Sequence, residues 1–209
     1  MFSNGRARTT VDVRGDRGIG AHGLLTGRHN QGVETMADQA RDLRGQDLHG
    51  HNFSDADLRG ADLTDADLTD VDFTRADLTG AILTSATLTH ADFTDADLTR
   101  ADFTDADLTG AYLNRAVLTD AVFVRATLTD AKSIHAELIR TNLTGAILTD
   151  TKFTHATLTE ANFTHSTLVN TDFSHSSATG AHFDDYDELA KNAILTGVDL
   201  EHVRFGSAK

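Results

Sequence analysis

Residues 56–111 read ADLRGADLTDADLTDVDFTRADLTGAILTSATLTHADFTDADLTRADFTDADLTGA. Leu or Phe stands at 58, 63, 68, 73 and every fifth position after that. Ala, once Val, lies two residues before each centre, and Thr usually follows it. A period of five suits neither regular element. An α-helix turns about 100° per residue, so every fifth side chain would spiral around the rod. A strand alternates its side chains, so an odd period would throw successive Leu to opposite faces. A chain that turns a corner once per repeat buries both the centre and the small residue two before it. Stacked coils of such a chain share one continuous core, which is a solenoid.

Sorting the centres by a twenty-residue period yields four columns. One holds Leu48, Leu68, Leu88, Leu108, Leu128, Leu148 and Leu168, and another runs from Leu58 through Leu158 to Ala178. The other two hold every Phe of the run, Phe53, Phe73, Phe93, Phe153 and Phe173 on one and Phe103, Phe123, Phe163 and Phe183 on the other. Confining Phe to two opposite columns predicts four repeats per coil and a core packed layer on layer.

Consecutive A-D-L-T-x and A-D-F-T-x units, over about 41–183 and again near the C-terminus, resemble the pentapeptide-repeat proteins. The resemblance implies an all-β fold, a right-handed quadrilateral β-helix, with the centre and the residue two before it pointing in. With a short helix near the C-terminus and about eight coils at ~4.8 Å each, the rod would stand about 38 Å tall. The family includes quinolone-resistance proteins that look like DNA and occupy the DNA site of gyrase. The resemblance therefore implies a DNA-binding protein, gyrase or topoisomerase IV, as partner, and resistance to topoisomerase poisons as a role. Members of that branch pair through a helix that ends the chain, so a homodimer is a further implication. Here the candidate helix is followed by more repeat.

Working outward, the repeats begin near Arg41, with Leu43 and Leu48 as first centres. Arg41, Gln46 and His51 take the small inward position and form a polar end. After Leu108 the pattern loosens: Tyr112, Val117 and Val122 replace Asp, and Ser133 takes a centre beside Ile134. The run stops at Phe183. Residues 184–192, DDYDELAKN, place acids first and Lys near the end, which predicts a short helix. The repeat resumes at Leu195, Leu200 and Phe205 with a two-residue excess. The expected organisation is a Gly- and Arg-rich tail over 1–35, the repeat over 36–183, the helical insertion over 184–192 and a final coil over 193–207. Met36 offers an alternative start, so the tail reads as an upstream extension or an artefact, and as mobile.

The chain has no Cys, Pro or Trp. That excludes disulfides, thiolate metal sites and cysteine nucleophiles. No stretch approaches a membrane span and no signal-peptide pattern opens the chain, so a cytoplasmic protein without membrane contact is expected. No nucleophile with a base and no phosphate loop is visible. The expectation is a protein that is not an enzyme, needs no cofactor and does not bind nucleic acid directly.

The outward positions carry the functional information. Residues 55–109 hold 14 acids against three Arg, a net of −11, whereas 110–170 balance five acids with five bases. Eleven repeats span about 13 Å of rod, one net charge per ~1.2 Å, against roughly one per 1.7 Å of B-DNA axis. The band Asp57, Asp62, Asp67, Asp72, Asp77, Asp92, Asp97, Asp102 and Asp107 is the candidate partner surface, able to attract DNA-binding proteins. The competing reading is that each Asp satisfies a turn by accepting a backbone N–H. A second candidate is an apolar set, Tyr112, Val117, Val122, Val124, Ile134, Ile139 and Ile147, for self-association or partner binding. Strain around Ser133, turning some of them inward, is the alternative. Two columns alternate in sign: Asp55, Arg75, Asp95, Arg115, and Arg100, Asp120, Arg140, Glu160. The first continues as His135, His155 and His175, a candidate metal or pH-sensing column or simply an exposed polar one.

Overall fold

The structure, a computed structural model, describes residues 42–206. The tail over 1–35, Met36 and Arg41 lie outside the described residues.

Each five-residue unit ends in a tight turn. The centre's C=O accepts from the N–H three residues on, as in Leu58 from Ala61 at 3.0 Å and Phe73 from Ala76 at 2.9 Å. The third turn residue has positive φ: Gly60 at 63°, but also Asp65 at 58°, Arg75 at 58° and His90 at 59°. A type II turn requires this left-handed conformation at its third residue. Asp and His are among the side chains that adopt it most readily, and Arg does so less readily. Here hydrogen bonds to the next coil hold the backbone on each side of the corner. At two corners Gly also leaves room. A Cβ on Gly110 would run into His90 Nδ1, and one on Gly197 would meet His175 Nδ1 at 2.7 Å.

Between corners the chain pairs with itself in parallel, residue i with residue i+20. Asp57 bridges Asp77, Asp77 bridges Asp97, and Asp97 bridges Val117. In each rung one residue uses both backbone groups. Asp77 donates to the Ala56 C=O at 2.9 Å and accepts from Leu58 at 2.8 Å. Most rungs are single bridges, because a corner arrives before a second can form. The longer pairings are near the end: β1 (Thr171–Asp172) with β3 (Ala193–Ile194), and β2 (His182–Phe183) with β4 (Arg204–Phe205).

Helix α1 (Tyr186–Asn192) lies between β2 and β3. Asp185 caps it by accepting from the Asp187 and Glu188 N–H groups, and Leu189 is buried. Beyond the helix the register becomes 22, Thr171 with Ala193 and His182 with Arg204. The helix thus takes the place of one side of the last coil, and the two additional residues are absorbed there.

The interior is nearly all Leu, Phe and Ala. Phe53, Phe73 and Phe93 stack at 5.5 and 5.0 Å, Phe103 on Phe123 at 4.6 Å, and Phe163 on Phe183 at 4.9 Å. The two Phe columns meet edge-on across the core, Phe93 to Phe103 at 5.8 Å, a favoured aromatic geometry. Thr141, Thr151 and Thr171 take the small inward position, and each hydroxyl donates to a carbonyl of the preceding coil at 2.7–2.8 Å. Ser133 is fully buried at a centre, and its Oγ has no partner among the described residues. The register passes through Ser133 without slipping, so Ile134 stays on the outside, half-buried.

Candidate functional site in the acidic coils

All nine Asp of the band do the same local work. Oδ1 of Asp62, Asp67, Asp72, Asp77, Asp92, Asp97, Asp102 and Asp107 accepts the backbone N–H of the Thr two residues on, at 2.8–3.1 Å. Asp57 accepts from Arg59 in the same way at 3.3 Å. At 62, 67, 77, 102 and 107 the Thr hydroxyl adds a second bond at 2.6–2.7 Å. The turn-satisfying reading therefore accounts for one carboxylate oxygen of each. It does not account for the charge. Asn52, Asn142 and Asn162 accept the same bond from Ser54, Thr144 and Thr164 at 2.8, 3.1 and 3.0 Å.

The ladder sorts these Asp onto four sides. Asp57, Asp77 and Asp97 form an unbroken column on the side of Leu58, Leu78 and Leu98. Asp72 and Asp92 form another on the adjoining Phe73 and Phe93 side. On the other two sides the columns are interrupted, Asp62–Ile82–Asp102 and Asp67–Thr87–Asp107. The band thus wraps the rod but is continuous only on two adjoining sides.

The corner between those sides carries Asp55, Arg75, Asp95 and Arg115, which resolve into bidentate pairs. Arg75 grips Asp55 at 2.7 Å, and Arg115 grips Asp95 at 2.6 and 2.7 Å. Arg140 grips Asp120 likewise, and Arg125 grips Asp105, a pair that the sequence reading missed although its spacing is the same twenty residues. The Arg hydrogen bonds hold the Asp95, Asp105 and Asp120 carboxyls below the ordinary value of 3.8. Paired, exposed guanidinium–carboxylate contacts add little stability. Their larger effect is on the field, since Arg115 and Arg125 reach back from outside 55–109 and ease its charge density toward that of a duplex.

The apolar set is not brought together. Tyr112 and Ile134 lie on the side of Phe73 and Phe93, and Val117 and Ile139 on that of Leu78 and Leu98. Val122 and Val124 share a third side, and Ile147 lies on the fourth. Tyr112 and Ile147 are exposed, and the rest are half-buried. Lys132 sits over the Tyr112 ring at 4.6 Å. His135, His155 and His175 do form a column, but as face-to-face rings at 4.9 and 5.1 Å. No cluster of His, Cys, Asp or Glu among the described residues could hold a metal ion. No helix among them is long and apolar enough to cross a membrane. A feature absent from the sequence reading is a cleft of about 270 Å³ between α1 and the side of Leu168, lined by Phe163, Phe183 and Leu189 with Asp184, Asp185 and Glu188.

Comparison with known proteins places this geometry. The model of the family described as pentapeptide repeats (8 copies) matches over residues 42–132 and 136–185, well over half of the chain. Among solved structures, the chain is similar to HetL, a pentapeptide repeat protein involved in heterocyst differentiation regulation in Nostoc sp. strain PCC 7120. The identity is 25%, over 84% of this chain and 95% of that one, with a TM-score of 0.37. It is also similar to QnrB1, a plasmid-mediated fluoroquinolone resistance protein, at 21% identity over 80% of this chain and 85% of that one, TM-score 0.40. A pentapeptide repeat protein from the Arabidopsis thaliana thylakoid lumen is 34% identical over 52% of this chain and 69% of that one, TM-score 0.24. No curated protein sequence matches significantly. The repeat, its ladder and the family match agree: the chain belongs to the pentapeptide-repeat family.

Proposed function

We propose that the chain is a non-enzymatic interaction rod whose acidic coils present duplex-like charge to a DNA-handling protein. A type II topoisomerase, gyrase or topoisomerase IV, is the first candidate. The observation that carries this reading is like-charge stacking that the turns do not require. Asp77 and Asp97 bridge one another directly, as do Asp72 and Asp92, and like charges directly opposite destabilise a sheet; at the head of the first column Arg59 grips Asp57 at 2.6 and 2.8 Å and lies 3.5 Å from Asp77. The turn needs only an oxygen, which Asn52, Asn142 and Asn162 supply without charge. A partner with a basic channel gives the charge a use.

The mechanism is competition. Carboxylate rows occupy the surface that would hold a duplex, and long-range attraction weakens as salt rises. A right-handed, four-sided rod of about eight closed coils, and a cytoplasmic setting, are parts of the same proposal. The test is supercoiling of relaxed plasmid by gyrase with the purified chain. Inhibition that fades as salt is raised is expected, and no effect at micromolar protein would contradict the reading.

A second reading, a structural solenoid that self-associates, is favoured by the final coil. Ile194 and Phe205 are exposed there, and Leu195 and Leu200 are only half-buried. The supercoiling assay separates the two readings, since only the first requires inhibition, and sedimentation over a hundredfold range of concentration tests the self-association that the second requires.

A further inference from the structure

On the side built on Leu48 to Leu168, successive rungs are made in one way. A residue of the next coil accepts from the Leu N–H and donates to the C=O two residues before that Leu. Ile147 does this for Leu128 and Ala126 at 2.8 and 2.9 Å, and Thr167 for Leu148 and Ala146, both at 2.9 Å. The series stops one step later. The Leu168 N–H and the Ser166 C=O have no hydrogen-bond partner among the described residues, because the chain leaves the ladder for α1. The groups on either side are satisfied by substitutes. The His165 N–H donates to Asp184 Oδ2 at 2.6 Å, and the Asn170 N–H to the Asn192 C=O at 2.8 Å. The gap is therefore one rung wide.

This open rung faces the cleft of about 270 Å³ beside α1, where Ser166 and Leu168 themselves contribute lining. Phe163, Phe183 and Leu189 supply apolar wall. Asp184, Asp185 and Glu188 supply acid, and no lining residue is basic. An unpaired donor and acceptor beside an apolar cleft are what strand addition uses. We propose that the open rung at Ser166 and Leu168 is a docking site for an extended peptide segment in which an apolar residue is flanked by Lys or Arg. The residue at the rung gives its N–H to Ser166 and its C=O to Leu168, as Thr167 does for the coil before. The next side chain then turns inward, as Leu168 does after Thr167, and enters the cleft. The flanking cations meet the acidic margin. This site is separate from the acidic coils, and a supercoiling result does not bear on it.

The test uses the full chain, labelled for amide observation, and the probe acetyl-Gly-Lys-Leu-Lys-Gly-amide. Saturable shifts at the Leu168 amide are expected, with its hydrogen exchange slowed tenfold or more. A probe methylated on the backbone nitrogen of the Lys before Leu loses the donor to Ser166 and should bind about tenfold more weakly, the effect of one lost hydrogen bond. Replacing both probe Lys by Glu should abolish the shifts, and Glu188→Gln should weaken the parent probe while keeping the methylation ratio. Equal binding of the methylated probe would reduce the effect to charge attraction and overturn the proposal. So would an unchanged Leu168 amide at millimolar probe. A Leu168 amide already slow to exchange in the free chain would show that a second copy, or residues 1–41 of this chain, holds the rung instead.

Discussion

Residues 55–109 and 110–170 are wrapped around one interior and carry different skins. In both, Leu, Phe and Ala fill the inward positions and the coils pair at twenty residues. The outward position before the centre is Asp in nine of eleven units of the first region and in none of the second, where Tyr, Val, Thr, Lys, Glu, Asn and Ile appear. The second region pairs and packs as regularly without those acids. The fold therefore tolerates many outward residues, and the charge repeated through the first region, beyond a turn bond that Asn makes equally well, belongs to its surface.

The largest effect should be the same in both regions. Phe93→Ala and Phe163→Ala each remove a stacked, fully buried ring and should each cost about 3–5 kcal/mol, read by denaturant unfolding. A marked difference between them would mean that the interior is not common. Ser133 is the one centre where the second region departs from that interior. Filling its place with Ser133→Leu should stabilise by about 1–2 kcal/mol, from buried apolar surface and removal of an unpartnered hydroxyl. Destabilisation would show that the site has closed over Ser and cannot take the larger group.

The skin should matter less to stability. Asp77→Asn keeps the bond from Thr79 and relieves repulsion from Asp97, while giving up an exposed 3.5 Å contact with Arg59, which is already paired with Asp57. It should leave stability unchanged or raise it by about 0.2–1 kcal/mol, whereas Asp77→Ala, which loses the turn bond, should lower it. The smallest effect concerns acid. The Asp95, Asp105 and Asp120 carboxyls are held below 3.8 by their Arg partners. Their contribution is complete above that unfolded value and is lost as pH falls through the lower folded one. Arg115→Gln should flatten the acid side of the thermal-midpoint profile slightly. A change confined to neutral pH would contradict the assignment.

Much of the architecture is legible in the sequence alone. The period of five requires a corner per repeat, the Phe columns require twenty residues per coil, and the acids of 184–192 announce a helix that the structure places at Tyr186–Asn192. The grouping of outward residues is harder to see. Tyr112, Val117 and Val122 are near neighbours in sequence, yet five residues of a coil is a quarter turn, so they face three different sides. The same geometry makes Asp57, Asp77 and Asp97 neighbours though twenty residues separate each from the next. That each Asp satisfies its turn is one of the two readings open in the sequence, and the hydrogen-bond geometry shows the bond at every one. The open rung at Leu168 depends on where the helix leaves the ladder, which no local pattern records.

In the proposed function, the charge of the first region, and not the rod itself, competes for the partner. Two variants of equal net charge test it most directly. One converts Asp57, Asp72, Asp77, Asp92 and Asp97 to Asn, and the other converts Asp120, Asp130, Glu137, Asp150 and Glu160 to Asn or Gln. In the gyrase supercoiling assay the first should lose its inhibition, with its thermal midpoint kept or raised, and the second should inhibit as the parent chain does. Equal loss in both, or retained inhibition in the first, would rule out the acidic band as the competing surface.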